Sequence, residues 1–559
     1  MSARELITEH LDLWTGAVTK KSSSGRGSNG KVELTGVKRL RELILSLAVR
    51  GKLVPQNSEG PSAASLLVDI EAKKKELYHA KIVKKPKKLC QPQSDEAPWP
   101  LPSSWEWVKL PDIYYPISPS GKKLKSSETL DIGQFPVVDQ GQSYISGYTD
   151  DASLVIEIPH PVIVFGDHTT ARKYIDFSFV PGADGTKILC PILVNPRFFY
   201  LQLLGYDLEN RGYARHFKVL NENFFALPPL EEQHRIVQKV DELMALCDRL
   251  EQQTSDQLEA HETLVDTLLS TLTQSENATE LADNWARLAA HFDTLFTTDK
   301  SIDKLKQTIL QLAVMGRLVE QATGDEPGSA LVAKMLETRD QLAANEGMKT
   351  KAANEVPTDD IYLNLPVNWG WIRLGNMAKF IDYRGKTPTK TDGGRRLITA
   401  KNIRKGYIDL EPEEFISEND YIEWMTRGFP RKGDLLFTPE APLGNAAIVN
   451  INEDFALAQR AICFQWHFVD VSSFMLIQIM ASPFQKKLVE NATGMTATGI
   501  KSSKLKEIPV AIPPLEEQCR IVQKVDELMA LCERLKVRLS QANDTQCKLA
   551  EAVVYEAVS

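Results

Sequence analysis

One segment of the sequence occurs twice in nearly identical form, and it constrains the fold more than any other feature. The copies are Pro228–Leu250 and Pro513–Leu535. They differ only at His234 against Cys519 and at Asp248 against Glu533. Each copy opens with Pro-Pro-Leu-Glu-Glu, which suits a first helical turn because free N–H groups and the positive dipole end favour proline and carboxylates there. Each copy is therefore predicted to begin a helix.

The apolar residues behind the prolines follow each other in steps of four and three, which is the pattern of a coiled-coil seam. The seam residues are Ile236, Val240, Leu243, Cys247 and Leu250 in the first copy and Ile521, Val525, Leu528, Cys532 and Leu535 in the second. Two such similar helices in one chain favour packing as an antiparallel pair about a pseudo-twofold axis. We predict that the first helix extends from Leu230 to near Gln274.

The identity of the two copies extends to polar positions outside the seam. The matching pairs are Gln238 with Gln523, Lys239 with Lys524 and Asp241 with Asp526. Two ordinary core helices, which are the alternative interpretation, would not require their outward faces to be equal. Recent duplication would produce equal faces but would not explain why the segments between the copies look unrelated. We therefore predict that these six residues form equivalent binding surfaces for a partner.

Length and composition narrow the class of protein. A chain of 559 residues exceeds one hydrophobic core, so several domains are expected. The formal net charge of −8 argues against a globally basic nucleic-acid coat, so any polyanion site must be local. The seven cysteines contain no CxxC, which is typical of reduced thiols in a cytoplasmic protein. We find no signal-peptide pattern and no apolar run long enough to span a membrane.

Two further pairs of segments give the chain a repeated layout. Val37–Val54 shares Leu-Ala-Val-x-Gly-[Lys/Arg]-Leu-Val with Ile302–Val319, and Leu-Pro-x-x-Trp-x-Trp begins at both Leu101 and Leu365. Between each Trp-x-Trp and the next Pro-Pro lies a variable block with short β-like runs separated by Gly and Pro, which predicts an α+β globule. The two blocks show no alignment with each other beyond these flanking segments.

This layout predicts an α+β fold in which two globular domains are separated by a pair of long antiparallel helices, with a pseudo-twofold internal repeat. The expected segments are 1–36 (helical extension and Ser/Gly linker), 37–100 (first short-helix repeat and linker), 101–227 (first globule), 228–275 (first long helix), 276–364 (second short-helix repeat and linker), 365–512 (second globule) and 513–559 (second long helix). The N-terminal EHLDLW faintly matches AHFDTLF at Ala290, so we hypothesise that the extension completes the pseudo-symmetry.

The doubled frame of LPxxWxW[VI][KR]L, a variable block and PPLEEQxRIVQKVDELMALC[DE]RL resembles the specificity subunit of type I restriction–modification systems, from about residue 37 to the end. The resemblance implies two target-recognition domains, each reading one half of an asymmetric bipartite site in double-stranded DNA through the major groove. It implies that the helices set the gap and dock two methyltransferase (modification) subunits, which restriction/translocase subunits join. These partners would methylate adenine at N6 with S-adenosylmethionine, so no cofactor or metal is expected on this chain.

DNA contacts are expected from cations that bind phosphates and from polar loop residues that reach base edges. The net charge is −2 in the first block (108–227) and +3 in the second (372–512), so the cations would act locally. Candidates in the first block are Lys122, Lys123, Gln140, Gln142, His168, Thr169, Arg172, Arg211 and Arg215. Those in the second are Lys386, Lys390, Arg395, Arg396, Lys401, Asn402, Arg404, Thr496, Thr498 and Lys501. Solvated loop charge is the alternative for each.

Enzymatic interpretations lack the motifs they require. We find neither the Asn/Asp-Pro-Pro-aromatic tetrapeptide of adenine methylation nor a glycine-rich cofactor loop, and Arg384-Gly385-Lys386-Thr387 lacks the upstream glycine of a P-loop. We therefore expect no catalysis in this chain. Two other hypotheses remain open, a coiled-coil scaffold whose globules bind proteins and a self-contained enzyme that uses the histidines of the first block.

Overall fold

The computed structural model describes residues 9–20, 32–57, 60–83, 97–119, 121–182, 185–208, 215–276, 278–345, 353–383, 388–493 and 498–558. It divides into two compact units. Unit 1 comprises Met1–Gln257 and Gln541–Ser559, and unit 2 comprises Leu258–Ser540. Each unit therefore contains one variable block together with parts of both long helices.

Both units contain helices and strands. The helices are α1 (Leu11–Gly16), α2 (Thr35–Val49), α3 (Ala63–His79), α4 (Pro196–Leu204), α5 (His216–Glu222), α6 (Leu230–Gln274), α7 (Ala278–Ala290), α8 (Phe292–Leu295), α9 (Asp299–Val314), α10 (Gly328–Asn345), α11 (Glu418–Trp424), α12 (Ser472–Met480), α13 (Ser482–Glu490), α14 (Ser502–Glu507) and α15 (Leu515–Val558). The strands are β1 (Thr19–Lys20), β2 (Val32–Glu33), β3 (Glu106–Lys109), β4 (Tyr114–Ile117), β5 (Phe135–Val138), β6 (Gly147–Thr149), β7 (Val162–Gly166), β8 (Arg172–Ile175), β9 (Val180–Pro181), β10 (Thr186–Pro191), β11 (Phe224–Leu227), β12 (Gly370–Arg373), β13 (Ala378–Asp382), β14 (Lys390–Thr391), β15 (Arg395–Ile398), β16 (Phe415–Ile416), β17 (Leu435–Phe437), β18 (Ala446–Ile448), β19 (Phe455–Leu457), β20 (Ile462–Trp466) and β21 (Pro509–Ile512). The predicted α+β class is confirmed.

The variable block of unit 1 is built on a four-stranded antiparallel sheet with strand order β4-β10-β7-β8. A three-stranded sheet, β6-β5-β9, pairs β5 with β9 in parallel. Strands β3 and β11 form a ribbon that joins the Trp-x-Trp segment to the residues just before Pro228. Every residue of β7 is buried, so the four-stranded sheet is covered on both faces.

The variable block of unit 2 has the same strand order in its four-stranded sheet, and its second sheet keeps the parallel pair but contains one more strand, β14. Its four-stranded sheet has the order β13-β20-β17-β18, its second sheet contains the parallel pair β15-β19, and its ribbon is β12–β21. The two blocks therefore share a fold that the sequence comparison did not detect. The blocks make equivalent backbone contacts although their residues differ. For example, the carbonyl of Ile113 accepts from Ile192 N–H at 2.8 Å, and the carbonyl of Met377 accepts from His467 N–H at 2.9 Å.

The shared Leu-Ala-Val-x-Gly motif ends α2 and α9 in the same way. Gly51 and Gly316 have φ values of +70° and +68°, the left-handed region that favours glycine. The amide that follows each glycine donates to the carbonyl five residues before it, at 3.0 Å in both copies. Each glycine lies against the proline and the first tryptophan of LPxxWxW, where a Cβ would collide with the proline ring. The two shared motifs therefore pack on each other.

The predicted seam residues lie in the helical cores. In unit 1 the buried seam residues form one cluster with a residue near the end of α15; they are Ile236, Val240, Leu243 and Cys247, with Ala550. In unit 2 the buried seam residues form one cluster with the last part of α6; they are Ile521, Val525 and Cys532, with Val265, Leu269 and Leu272. Each unit thus joins the first part of one long helix to the last part of the other, as expected of an antiparallel pair.

Helices α2 and α9 link these helix parts inside their own units by ion pairs at equivalent positions. The pairs are Arg39–Glu551 and Arg41–Asp248 in unit 1 and Lys304–Asp266 and Lys306–Glu533 in unit 2. Each of the two short helices contacts the beginning of one long helix and the end of the other. The seam prediction was therefore incomplete, because a third helix shares each helical core.

The described part of the N-terminal segment lies beside the last part of α15. In unit 1, Trp14 is fully buried, and Gly16 of α1 faces Gln546 near the end of α15. In unit 2, His261 near the end of α6 contacts the carbonyl of Thr294 in α8 at 3.1 Å. His261 and Gln546 occupy the same position in the two long helices, thirty-one residues after Leu230 and Leu515. Helices α1 and α8 thus take corresponding places in the two repeats.

Candidate nucleic-acid interface

Several loops of unit 1 converge at one end of its four-stranded sheet. The Asp167 N–H, just after β7, donates to Gly185 O at 2.8 Å, and Asp167 O accepts from His216 N–H at 2.8 Å. His168 N–H donates to Gln140 Oε1 at 3.2 Å. These bonds hold together the loops that follow β5 and β7 and the segments that precede β10 and α5.

We name the exposed and half-buried polar residues of these loops, together with Lys122 from the segment before β5, face 1. It comprises Lys122, Gln140, Gln142, His168, Thr169 and Arg215. The Thr169 hydroxyl donates to the carbonyl of Gln140, and Thr170 adopts a left-handed φ of +57°. Lys122 donates to Val155 O at 2.6 Å, beside β9. Face 1 therefore combines amide, imidazole, hydroxyl and cationic groups on a connected set of loops.

Arg172 has a different role from the one predicted. Its guanidinium donates to Leu204 O at 3.2 Å and to Tyr206 O at 2.9 Å, at the C-terminal end of α4. Burial lowers the pKa of this arginine, whereas the two carbonyls at the end of α4 stabilise its positive charge. A guanidinium used in this way anchors α4 to β8, so we remove it from the DNA-contacting set. Lys123 is exposed next to Lys122, and Arg211 lies outside the described residues.

The loops of unit 2 converge at the equivalent end of its sheet. Ile500 N–H donates to Pro439 O at 2.9 Å, as His216 does to Asp167 in unit 1. The residue after Pro439 bridges Gly499. A hairpin at 401–410 joins the same loop, because Asn445 Nδ2 donates to Ile403 O at 3.0 Å.

These loops of unit 2 border a cleft of about 250 Å³. Its polar lining residues are Asp382, Glu440, Gln459, Arg460, Thr493 and Lys501. Two of these lining residues, Arg460 and Glu440, form an ion pair at 3.0 Å. We name the exposed and half-buried polar residues of the cleft rim and of the adjoining loops face 2. It comprises Lys401, Arg404, Glu440, Arg460, Thr498 and Lys501.

Asn402 is not available to bases in this arrangement. It is buried, with 1% exposure. Its carbonyl oxygen accepts from Thr399, and its amide donates to Asp409 O at 2.9 Å and Pro412 O at 3.2 Å. The residue therefore shapes the base of the 401–410 hairpin. Arg404 on the same hairpin is exposed and lies 3.3 Å from the Asp409 carboxylate.

Three predicted cations of unit 2 lie on strands β14 and β15 of its second sheet and face carboxylates. The pairs are Lys390–Glu414 at 2.8 Å, Arg395–Glu418 at 2.8 Å, Arg396–Glu413 at 3.0 Å and Arg396–Glu453 at 2.7 Å. The hydrogen bonds that the two arginines donate to the glutamates raise the pKa of both arginines. A phosphate would have to displace these carboxylates. Lys386 and Thr496 lie outside the described residues.

Sequence reasoning missed Glu440 and Arg460. They are twenty residues apart in the sequence, in segments with no basic cluster, and only the pairing of strands β17 and β20 brings their loops together. Arg460 also has a left-handed φ of +68°, which is uncommon for a residue other than glycine and often marks a functional position. No pattern of residue types reveals that conformation.

A family model described as the type I restriction modification DNA specificity domain matches residues 102–260 and 366–542. The chain is also similar over its full length, and theirs, to two Escherichia coli proteins. These are the type I restriction enzyme EcoAI specificity subunit at 34% identity and the EcoEI specificity subunit at 33%. The chain belongs to the family of type I restriction–modification DNA specificity subunits.

A solved HsdS subunit from Thermoanaerobacter tengcongensis is 16% identical and matches 83% of this chain and 98% of its own, with a TM-score of 0.40. Both family matches begin at LPxxWxW and extend into a long helix. Each therefore covers one face of this specificity subunit together with the first part of the helix that follows it.

The long helices of this specificity subunit present the six predicted partner-binding residues on equivalent turns. Gln238 and Gln523 are exposed. Lys239 pairs with Glu242 at 2.9 Å, and Lys524 pairs with Glu527 at the same distance. Asp241 lies 3.3 Å from Arg197.

In contrast to these exposed positions, the second glutamate and the glutamine of each PPLEEQ are buried and bind groups within the protein. The pairs Glu232 and Gln233, and Glu517 and Gln518, are at most 2% exposed. Each Gln side chain donates to the carbonyl of the first proline of its own motif, at 2.9 and 3.0 Å. The motif thus fixes the start of each long helix.

Among the described residues, no helix is long and apolar enough to cross a membrane. Within the same ranges, no group of three or more His, Cys, Asp or Glu side chains is arranged to hold a metal ion.

Proposed function

We propose that each globule of this specificity subunit reads one half of an asymmetric bipartite site in double-stranded DNA, unit 1 through face 1 and unit 2 through face 2. The observation that carries the proposal is the combination of one topology with two different sets of loop residues. A shared fold supplies the same docking geometry twice, while different side chains supply two different half-site sequences.

The chemistry of the two faces supports DNA as the ligand. Lys122 and Arg215 on face 1, and Lys401 and Lys501 on face 2, are exposed cations that suit phosphates. The amide, hydroxyl and carboxylate groups beside them match the donor and acceptor pattern of base edges in the major groove. A chain with a net charge of −8 would use such local cations and not its overall field.

The long helices are proposed to set the gap between half-sites and to dock two modification subunits. Helix α6 has 45 residues, which corresponds to about 67 Å at 1.5 Å per residue. Half-sites on one face of the duplex lie roughly 34–36 Å apart, or a multiple of that distance. The matched Gln, Lys and Asp positions supply the same surface to each modification subunit.

Catalysis is proposed to reside in partner subunits that act in the cytoplasm, with restriction subunits joining through the modification subunits. Mapping of N6-methyladenine in DNA from cells that express this chain with its modification subunits tests the function. We expect one bipartite motif with an unspecified gap of fixed length. If this chain were a scaffold that binds proteins, DNA from these cells would show no such motif. That result would reject the proposal.

A further inference from the structure

Face 2 carries an oppositely charged pair in the lining of its cleft. Arg460 Nε lies 3.0 Å from Glu440 Oε1, with side chains 61% and 39% exposed. Glu440 is held by its backbone bridge to Gly499, and Arg460 lies in the turn between β19 and β20. The backbones of both residues are therefore fixed by the fold, while the charged ends face solvent.

We propose that Glu440 and Arg460 together read one G·C base pair in the half-site of unit 2, an inference that rests on the proposed function of face 2. A guanidinium donates two parallel hydrogen bonds to O6 and N7 of guanine in the major groove. A carboxylate accepts from the N4 amino group of cytosine. Because the two ends lie side by side, they match the two bases of a single pair.

The carboxylate favours base recognition over phosphate binding at this position. Glu440 would repel a phosphate, and Asp382 adds a second carboxylate to the cleft lining. An amino group on a base edge, in contrast, is a donor that a carboxylate accepts. The cations that remain for the backbone include Lys501 in the cleft lining and Lys401 on the 401–410 hairpin.

The energetic cost of using this pair is low. An exposed ion pair of this kind contributes little to folding stability, so the two side chains can separate and turn to the bases. Face 1 presents Gln140, His168 and Thr169 at the equivalent loops, and the Asp167 carboxylate there is buried and accepts from Phe217 N–H at 2.9 Å. The two faces therefore present different groups to DNA.

Methylation mapping of variants in the complex with modification subunits tests the assignment. The half-site of unit 2 is first identified by exchanging residues 372–512 for the corresponding block of a relative. Glu440→Ala and Arg460→Gly are then mapped separately; glycine suits the left-handed backbone at position 460, so the fold is preserved. Each variant should lower the preference for G·C at one position of that half-site, roughly 5- to 150-fold.

The two variants should relax the same position, and the double variant should relax it no further than the stronger single variant, because both groups read one pair. Lys334→Ala is the matched control. Lys334, on α10 of the same unit, pairs with Glu326 at 2.6 Å, and the two side chains are 57% and 51% exposed. It should leave the motif unchanged. If a variant abolishes methylation, binding of the modification complex to duplexes substituted at each position supplies the same comparison.

Three results would overturn the assignment: a half-site of unit 2 without a G·C pair, variants that keep the preference, or variants that relax two separate positions. Each of them leaves the wild-type bipartite motif intact. Absence of any bipartite motif in the wild type would instead reject the proposed function itself, so the two failures are distinguishable.

Discussion

Trp369 donates its indole N–H to the buried carboxylate of Glu517 at 3.1 Å, and this bond fixes the Trp-x-Trp segment to the first turn of α15. Gln321 donates to the same carboxylate at 2.5 Å. Gln56 donates to Glu232 at 2.7 Å in the other repeat. These bonds give a structural reason for the buried glutamate in both copies of PPLEEQ.

Glu517→Ala should lower the free energy of unfolding by about 1–3 kcal/mol, because it leaves two donors without their acceptor. Glu517→Gln keeps an acceptor oxygen and should retain at least the stability of the wild type near neutral pH. Denaturant unfolding of both variants measures the difference. Equal loss in the two variants would mean that packing, and not hydrogen bonding, holds this site.

The same glutamate makes stability depend on pH. Burial raises the pKa of Glu517 above its ordinary value of 4.5, so the folded chain holds this proton more tightly than the unfolded chain. The resulting stabilisation is complete below about 4.5 and is lost as pH rises through the raised pKa. The stability of Glu517→Gln relative to the wild type should therefore increase with pH across that window. A difference that is constant with pH would contradict this account.

Arg172 and Arg215 form a matched pair for separating structure from DNA binding in unit 1. Arg172→Ala should cost about 1.5–3 kcal/mol of stability, because a charged donor to two carbonyls is lost. Arg215→Ala should change stability by less than about 0.5 kcal/mol and weaken DNA binding for all sequences alike, with a salt slope smaller by about 1. Thermal unfolding and salt-dependent binding of the modification complex measure both. Unaltered stability in Arg172→Ala would restore it as a DNA-contact candidate.

Residue patterns predicted the helical half of this molecule well, because seam spacing and helix-start chemistry are local properties. Ile236 and Ile521 are buried where the spacing placed them. The loops were predicted poorly, because the roles of their side chains depend on partners distant in sequence. Arg172 finds its carbonyls more than thirty residues away, and Arg460 finds Glu440 only through strand pairing. Residue type alone did not separate Asn402, which is buried, from its exposed neighbour Lys401.

The two globules should read their half-sites independently. Replacing Lys401 and Arg404 by Ala is expected to disturb recognition of the half-site of unit 2 only. Lost base contacts would cost roughly 1–3 kcal/mol at a defined position, and lost phosphate contacts would weaken all sequences alike. Methylation mapping distinguishes these outcomes. Asn402→Ala serves as a structural comparison and should lower stability; a change in the other half-site would mean that the blocks are wrongly assigned.

Two modification subunits should bind each copy of the chain, because the matched helix positions present equal surfaces. Mass measurement of the reconstituted modification complex should give two such subunits per chain. Replacing Gln238, Lys239 and Asp241 by Ala should leave one subunit bound, and so should the equivalent replacement of Gln523, Lys524 and Asp526. A complex that never takes up a second subunit, or triple variants that still bind two, would contradict this model.

The length of the long helices should determine the gap between the half-sites. Leu269 of α6 is buried in the core of unit 2, so an insertion beside it would disrupt packing. The stretch around Gln257 and the corresponding stretch around Ala542 are mostly exposed and suit insertions better. Because both long helices contribute to both units, the insertions must be made in both.

Four helix-forming residues inserted after Gln257 and four after Ala542 should add about 6 Å to each helix and roughly one helical turn. The part of each helix beyond the insertion then returns nearly to its original orientation about the helix axis. At about 3.4 Å per base pair, the variant should recognise the same half-sites with an unspecified gap one or two base pairs longer. Two-residue insertions would rotate the far domain by more than half a turn and should abolish methylation. Methylation mapping decides the question, and an unchanged gap with full activity would mean that the helices do not set the spacing.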